Sequence, residues 1–210
     1  MARRRSPKRQ RGAVSRPAVE APAGPKRVLH VGCGPPGPNQ VPVRYRGDDW
    51  REVRYDIDPG VEPDIVGSIV DMSPVASGSV DAIWSSHNLE HVYAHEVPLV
   101  IGEFYRVLRP AGEALITLPD LQAIAEFIVQ DKLEDTAYVS PAGPITPLDV
   151  VYGYGKAIKQ GNEFMAHRTG FTAKTLGAKL RRAGFRDVTL ERKDLALWAL
   201  GRKKQRASGR

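Results

Sequence analysis

Apolar and polar positions along the chain change period several times, and each change predicts an element. Residues 27–32 (RVLHVG) are a short apolar run ending in glycine, the signature of a buried strand. Similar runs stand at 52–58 (EVRYDID), 63–69 (PDIVGSI), 81–86 (DAIWSS) and 113–118 (EALITL). Between the last two, residues 95–109 place Val97, Ile101, Phe104 and Leu108 at steps of four, three and four. That is one face of a helix, with Pro98 acceptable in its first turn and Pro110 ending it. Strand, helix and strand with short joins predict a parallel α/β sheet.

Past Leu118 the spacing predicts two or three helices. Asp120 can cap one that carries Leu121, Ile124 and Ile128. Thr146 followed by Pro147 is a cap and first-turn signature for a second, through Leu148, Val151 and Tyr152. Thr172 can cap a third, with Leu176 and Leu180 on one face and Gly184 as its stop. Two strands at 187–192 and 196–203 close the pattern, joined by a turn around Lys193-Asp194. No fixed-period self-similarity is present, which excludes a repeat architecture.

Charge divides the chain into a body and two ends. The 210 residues hold 31 Lys and Arg against 24 Asp and Glu, a formal charge of +7. Residues 1–26 carry eight of the bases, one acid (Glu20) and four prolines. The last ten residues hold five bases and no acid, so the body from 27 to 200 is mildly acidic. Arg, Pro and Ala without apolar periodicity predict a disordered basic tail over 1–26, because such a segment buries too little surface to offset its ordering entropy. It reads first as a solvated tail, second as a weak contact for RNA or another polyanion, and third as a cleaved targeting segment. The expected organisation is a basic tail (1–26), one domain (27–203) with an excursion at 119–171, and a short basic tail (204–210). Cys33 is the sole cysteine, which excludes a disulfide framework and a Cys-rich zinc site. No apolar run approaches the roughly 20 residues of a membrane helix. The composition predicts a soluble, cytoplasmic protein with no membrane contact.

Chemistry concentrates after the strand ends. His30-Val-Gly-Cys-Gly-Pro-Pro-Gly37 is a G-x-G-x-x-G directly after the first strand, a motif that lets backbone approach a ligand at the carboxyl edge of a parallel sheet. Asp56 ends the second strand, where a carboxylate can accept hydrogen bonds from both hydroxyls of a ribose. A further acid, Asp71, follows the third strand.

VLHVGCGPPG, YDIDP, VDM, VDAIWSSHNLEHV and EFYRVLRPAGEALITLPD, in this order, resemble a class I S-adenosylmethionine-dependent methyltransferase of the type 11 kind. The resemblance spans roughly residues 27–120 by motif, and residues 170–203 resemble that family's closing helix and antiparallel hairpin. It implies a Rossmann-like, mostly parallel sheet and S-adenosyl-L-methionine as cofactor. Gly32 and Gly34 would pass along the cofactor's methionine part and Asp56 would hold its ribose. Asp71 would bond the adenine amino group, the Met72 backbone would meet the adenine ring, and His87 would face the cofactor or the methyl acceptor. Dinucleotide dehydrogenases fit the Asp71-Met72 and Glu90-His91 segments poorly.

Two departures from the family pattern are legible. Residues 59–63 are too few for the crossover helix between the second and third strands, which needs about 10–12 residues, so that helix is missing. Pro35, Pro36, Pro38 and Pro42 leave the first helix short and late, near 43–50, with less of its dipole at the cofactor carboxylate.

For the transfer itself the candidate bases are His87, Glu90, His91, His95, Asp120 and His167, with His87, His91 and His167 ranked first. The excursion, with Tyr138, Tyr152, Tyr154, Phe164, His167, Arg168 and Phe171, is expected to choose the acceptor, a polar small molecule or sugar methylated at oxygen. Ser85-Ser86-His87-Asn88 stands where amino-base methylases carry an acidic or amide residue followed by Pro-Pro-aromatic, which disfavours a DNA base. No H-E-x-x-H or H-x-E with paired cysteines occurs, so no metal is expected. The alternative is a truncated, non-catalytic module that holds RNA or a partner through the basic ends.

Overall fold

A computed structural model describes residues 24–38 and 40–205. The expectations for the N-terminal tail before Gly24 and for residues 206–210 lie outside the described residues.

Seven strands form one sheet: β1 (Lys26–Val31), β2 (Trp50–Asp56), β3 (Ile65–Val66), β4 (Val80–Ser86), β5 (Leu108–Pro119), β8 (Arg186–Lys193) and β9 (Ala196–Arg202). Their order is β3-β2-β1-β4-β5-β9-β8. The first five run parallel, and β9 is antiparallel to both β5 and β8. The Rossmann-like sheet with an antiparallel closing pair is therefore as the sequence predicts. The hairpin turns at Asp194 and Leu195, both at positive φ, one residue later than predicted.

Period-two alternation distributes the core. Leu29, Val31 and Ile83 point to one face, where α1 (Val97–Val107) and α5 (Ala173–Arg182) bury Val97, Ile101, Phe104, Leu176 and Leu180. Val28, Ala82 and Trp84 point to the other, where Val41 and Tyr45 of the long β1–β2 connection pack on them together with Leu115, Trp50 and Leu200. Among its described residues that connection holds a single 3-10 turn, Val43–Tyr45, so the first helix is shorter still than expected. Between β2 and β3 there is only the 3-10 turn Pro59–Val61, and the missing crossover helix is confirmed. Helix α1 stops at Val107, before Arg109 whose following proline disfavours helical dihedrals. Leu108, assigned to the helix by periodicity, belongs to β5 and pairs with Val80.

Beyond β5, Asp120 caps α2 (Leu121–Val129) through the Gln122 amide. Thr146 and Thr172 form capping boxes at α3 (Pro147–Tyr152) and α5, and Gly184 (φ +104°) ends the latter. Unpredicted are a hairpin of β6 (Tyr138–Ser140) with β7 (Gly143–Ile145), a short α4 (Gly155–Lys159) and a 3-10 turn, Glu163–Met165.

Candidate functional site

The order of strands reverses between β1 and β4, and a crevice outside their carboxyl ends is the general ligand position of such sheets. Here a cavity of about 390 Å³ occupies it. Its walls come from successive strand ends: Gly32 and Gly34, Asp56 to Asp58, Gly67 to Val70, and His87 to Val92 except Leu89 and Glu90. Asn162, Phe164, Met165 and Arg168 form a cover from the excursion.

The glycine loop is tied to β2. Gly32 N and Cys33 N donate to the Tyr55 carbonyl, and Gly34 N donates to Asp56 Oδ2 at 2.9 Å. Gly32 and Gly34 both have φ near +60°, the left-handed region that costs other residues energy. A Cβ on Gly32 would stand 2.8 Å from the Asn88 side chain. Asp56 Oδ1 accepts from Asp58 N, while Asp58 Oδ1 caps the Gly60 amide. Arg54, in the middle of β2 and outside every sequence motif, donates to the carbonyls of Gly34, Val61 and Glu62. Its guanidinium staples the glycine loop to the turn that replaces the missing helix. Nothing in a linear pattern marks an arginine inside a strand for that part.

Asp71 and Met72 do not reach the cavity. Met72 is fully buried, its amide donates to Glu103 Oε2 and its carbonyl accepts from Arg106. Glu103 and Arg106 are paired in bidentate fashion, and the guanidinium holds the Glu103 carboxyl below its ordinary range. Asp71 is exposed and caps the Ser73 amide. The wall is formed three residues earlier, by Ser68, Ile69 and Val70, because β3 ends at Val66 and the chain turns at Gly67. Tyr55 braces this wall by donating to the Ser68 carbonyl, and burial pushes its phenol up to about 12.

At the far end His87 has φ +47°, an uncommon conformation for a residue with a Cβ. Its amide donates to the Thr117 carbonyl, its side chain is half exposed, and its Nδ1 lies 3.4 Å from Glu90 Oε1. His91 lines the cavity and donates from Nδ1 to the Ala166 carbonyl. His167 sits behind it, bonded from Nδ1 to the Val150 carbonyl, and burial lowers its pKa. The two rings meet edge to face at 4.8 Å. Two candidate bases are removed from consideration by position. Asp120 is buried, caps α2 and pairs with Arg192. His95 is exposed, stacked on Tyr93 away from the cavity. Of the excursion's candidates only Phe164 and Arg168 line the cavity, while Phe171 is in the core and Tyr154 bonds the Ala142 carbonyl.

The residues present fit an adenosyl cofactor. The cavity size is in the range of about 300–1,000 Å³ typical of small-molecule sites. Two glycines open backbone to it, a carboxylate is held at its rim, and Asn88 Nδ2 is buried without a hydrogen-bond partner.

A family model described as a methyltransferase domain matches residues 29–116, the span from the first strand to the fifth. No curated protein matches the sequence. Among solved structures, the chain is similar to a SAM-dependent methyltransferase from Archaeoglobus fulgidus, with a TM-score of 0.55 at 14% identity over 86% of this chain and 87% of that one. It is similar to a SAM-dependent methyltransferase from Methanosarcina mazei, with 0.56 at 16% over 86% and 93%. A third likeness is to the 1,6-didemethyltoxoflavin-N1-methyltransferase of Burkholderia thailandensis, solved with 1,6-didemethyltoxoflavin and S-adenosylhomocysteine, with 0.51 at 14% over 87% and 72%. The solved structures agree in fold, and the family model agrees over the segment that builds the crevice: the chain has the fold of S-adenosylmethionine-dependent methyltransferases, and its residues 29–116 match the methyltransferase domain.

Proposed function

We propose that the protein is an S-adenosylmethionine-dependent methyltransferase that acts on a polar small molecule, at an oxygen atom, with His87 at the acceptor. The observation that carries the reading is one continuous cavity that runs from the glycine loop and Asp56 to His87, His91 and the cover. Asp56 suits the ribose hydroxyls, and the backbone at Gly32 and Gly34 suits the methionine part. Ile57, Ile69 and Val70 offer apolar walls to the adenine, the part first expected of Asp71 and Met72.

When bound, the cofactor supplies an electrophilic methyl group. The chain's own contribution is alignment of acceptor and methyl in line, which can be worth up to about 7–11 kcal/mol. Asn88, Glu96, Asn162 and Arg168 give the acceptor polar partners, under an apolar ceiling of Phe164 and Met165. The His87 imidazole can take or orient a hydroxyl proton, with the Glu90 carboxylate behind it to stabilise the charged ring.

The test combines calorimetric titration of S-adenosylhomocysteine with methyl-transfer assays on hydroxyl-bearing metabolites. His87→Ala is expected to lower turnover by about 100-fold or more while leaving cofactor affinity nearly unchanged. Weakened binding with spared turnover at saturation would reduce His87 to a cofactor contact.

A further inference from the structure

We propose that Glu90, His91 and His167 form a binding site for a divalent first-row transition cation of the zinc type, between the turn after β4 and the cover of the cavity. Glu90 is 1% exposed, yet neither of its carboxylate oxygens has a hydrogen-bond partner. A bare carboxylate taken out of water is among the costliest groups to bury, and native structures pair it with a cation. Its recorded ion-pair contact is with His87, half exposed and 3.4 Å from Oε1.

The two other ligands are prepared for a metal. Each Nδ1 is bonded to a backbone carbonyl, of Ala166 for His91 and of Val150 for His167. A carbonyl only accepts, so each Nδ1 carries the proton and the neutral ring leaves its lone pair on Nε2. A ring fixed by its second nitrogen on a carbonyl is the usual support of a metal-bound histidine. Ligand atoms of the three residues lie within 4.8 Å of one another. Bonds of about 2.0–2.2 Å in tetrahedral geometry set such atoms roughly 3.3–3.5 Å apart, so side-chain rotation closes the remainder. Two imidazoles and one carboxylate select zinc, cobalt, nickel or iron over calcium and magnesium, which prefer oxygen alone. Three protein ligands also leave a coordination position open.

The cation would lock the cover. The Glu90 carbonyl already accepts from the amides of Arg168 and Thr169, and a metal shared by Glu90, His91 and His167 adds a second tie between the same two segments. His91 is itself in the cavity wall, so an acceptor oxygen is the natural occupant of the open position; this last part rests on the small-molecule reading above. Adjacent Glu90-His91 and a distant His167 match no linear metal motif, and the expectation of no metal from the sequence is the one this proposal reverses.

The test uses the tag-free full chain, stripped with chelator and titrated with Zn²⁺ and with Co²⁺. The expected result is one saturable equivalent per chain, with visible Co²⁺ absorption of a low-coordinate nitrogen and oxygen site. Glu90→Gln and His167→Ala should each weaken binding by more than about 100-fold, beyond the 10–100-fold that loss of a supporting partner costs. S-adenosylhomocysteine titration of the His167→Ala protein should stay near the parent's, which separates failure of the metal site from failure of the cofactor site. Circular dichroism reports folding, and His167→Ala decides the matter if Glu90→Gln fails to fold. Absence of saturable binding at micromolar metal, or binding unchanged in His167→Ala, would overturn the site.

Discussion

Asp56 holds the loop geometry and is the proposed ribose anchor. Its two oxygens hold the amides of Gly34 and Asp58, and the residue lines the cavity. Asp56→Ala should weaken S-adenosylhomocysteine binding by about 1.5–3 kcal/mol, the range for hydrogen bonds to a charged group, measured by calorimetry. Asp58→Ala should spare most of that affinity, since Asp58 is engaged with Gly60. His30 carries a pH dependence. Burial lowers its pKa below 6.5, with the Glu52 carboxylate acting in the opposite direction. The unfolded chain then binds more protons than the folded one as pH falls below about 6.5, so stability present above that pH is lost through the folded pKa. Thermal melts between pH 7.5 and about 5 should show this decline, and His30→Asn should flatten it.

At the scale of elements, short turns stand in for helices. Arg54 links the Gly34 loop to the 3-10 turn after β2 through three carbonyls, work that a packed crossover helix would otherwise share. Arg54→Met should lower cofactor affinity by about 1–3 kcal/mol and reduce the melting temperature, with Arg54→Lys rescuing little, because an ammonium cannot span the fork. The cover is sensitive to one glycine. Gly153 has φ +98°, and a Cβ there would lie 2.0 Å from the Met165 carbonyl oxygen. Gly153→Ala should therefore displace residues 163–168 and raise the acceptor KM, with amide exchange in the cover as the structural readout.

Over the whole molecule, the excess positive charge stands at the two ends of the sequence, outside the segments that line the cavity. No helix among the described residues is long and apolar enough to cross a membrane. The first strand starts at Lys26, whose amide is bonded to the Asp49 carbonyl, so the basic segment before Gly24 precedes every described element. Deleting residues 1–23 should leave S-adenosylhomocysteine binding unchanged and reduce polyanion affinity together with its salt dependence. Loss of folding on that deletion would show that the segment packs on the domain.

The seven strands of the main sheet, the α1 face, the caps at Asp120, Thr146 and Thr172, and the absence of a helix after β2 were legible in the sequence. They depend on periodicity, capping chemistry and chain length, which are local properties. That Gly32, Gly34 and Asp56 stand at the crevice was legible for the same reason, since each sits at a strand end. Tertiary structure decided the rest. Whether Ser68 or Asp71 reaches the crevice depends on where β3 breaks away from β2, and a two-residue strand leaves too little periodicity to tell. Asp120 reads as a base until Arg192, far along the chain, is found against it. Glu90, His91 and His167 become one group only because the excursion folds back over the end of β4, and sequence spacing carries no record of a contact made by burial.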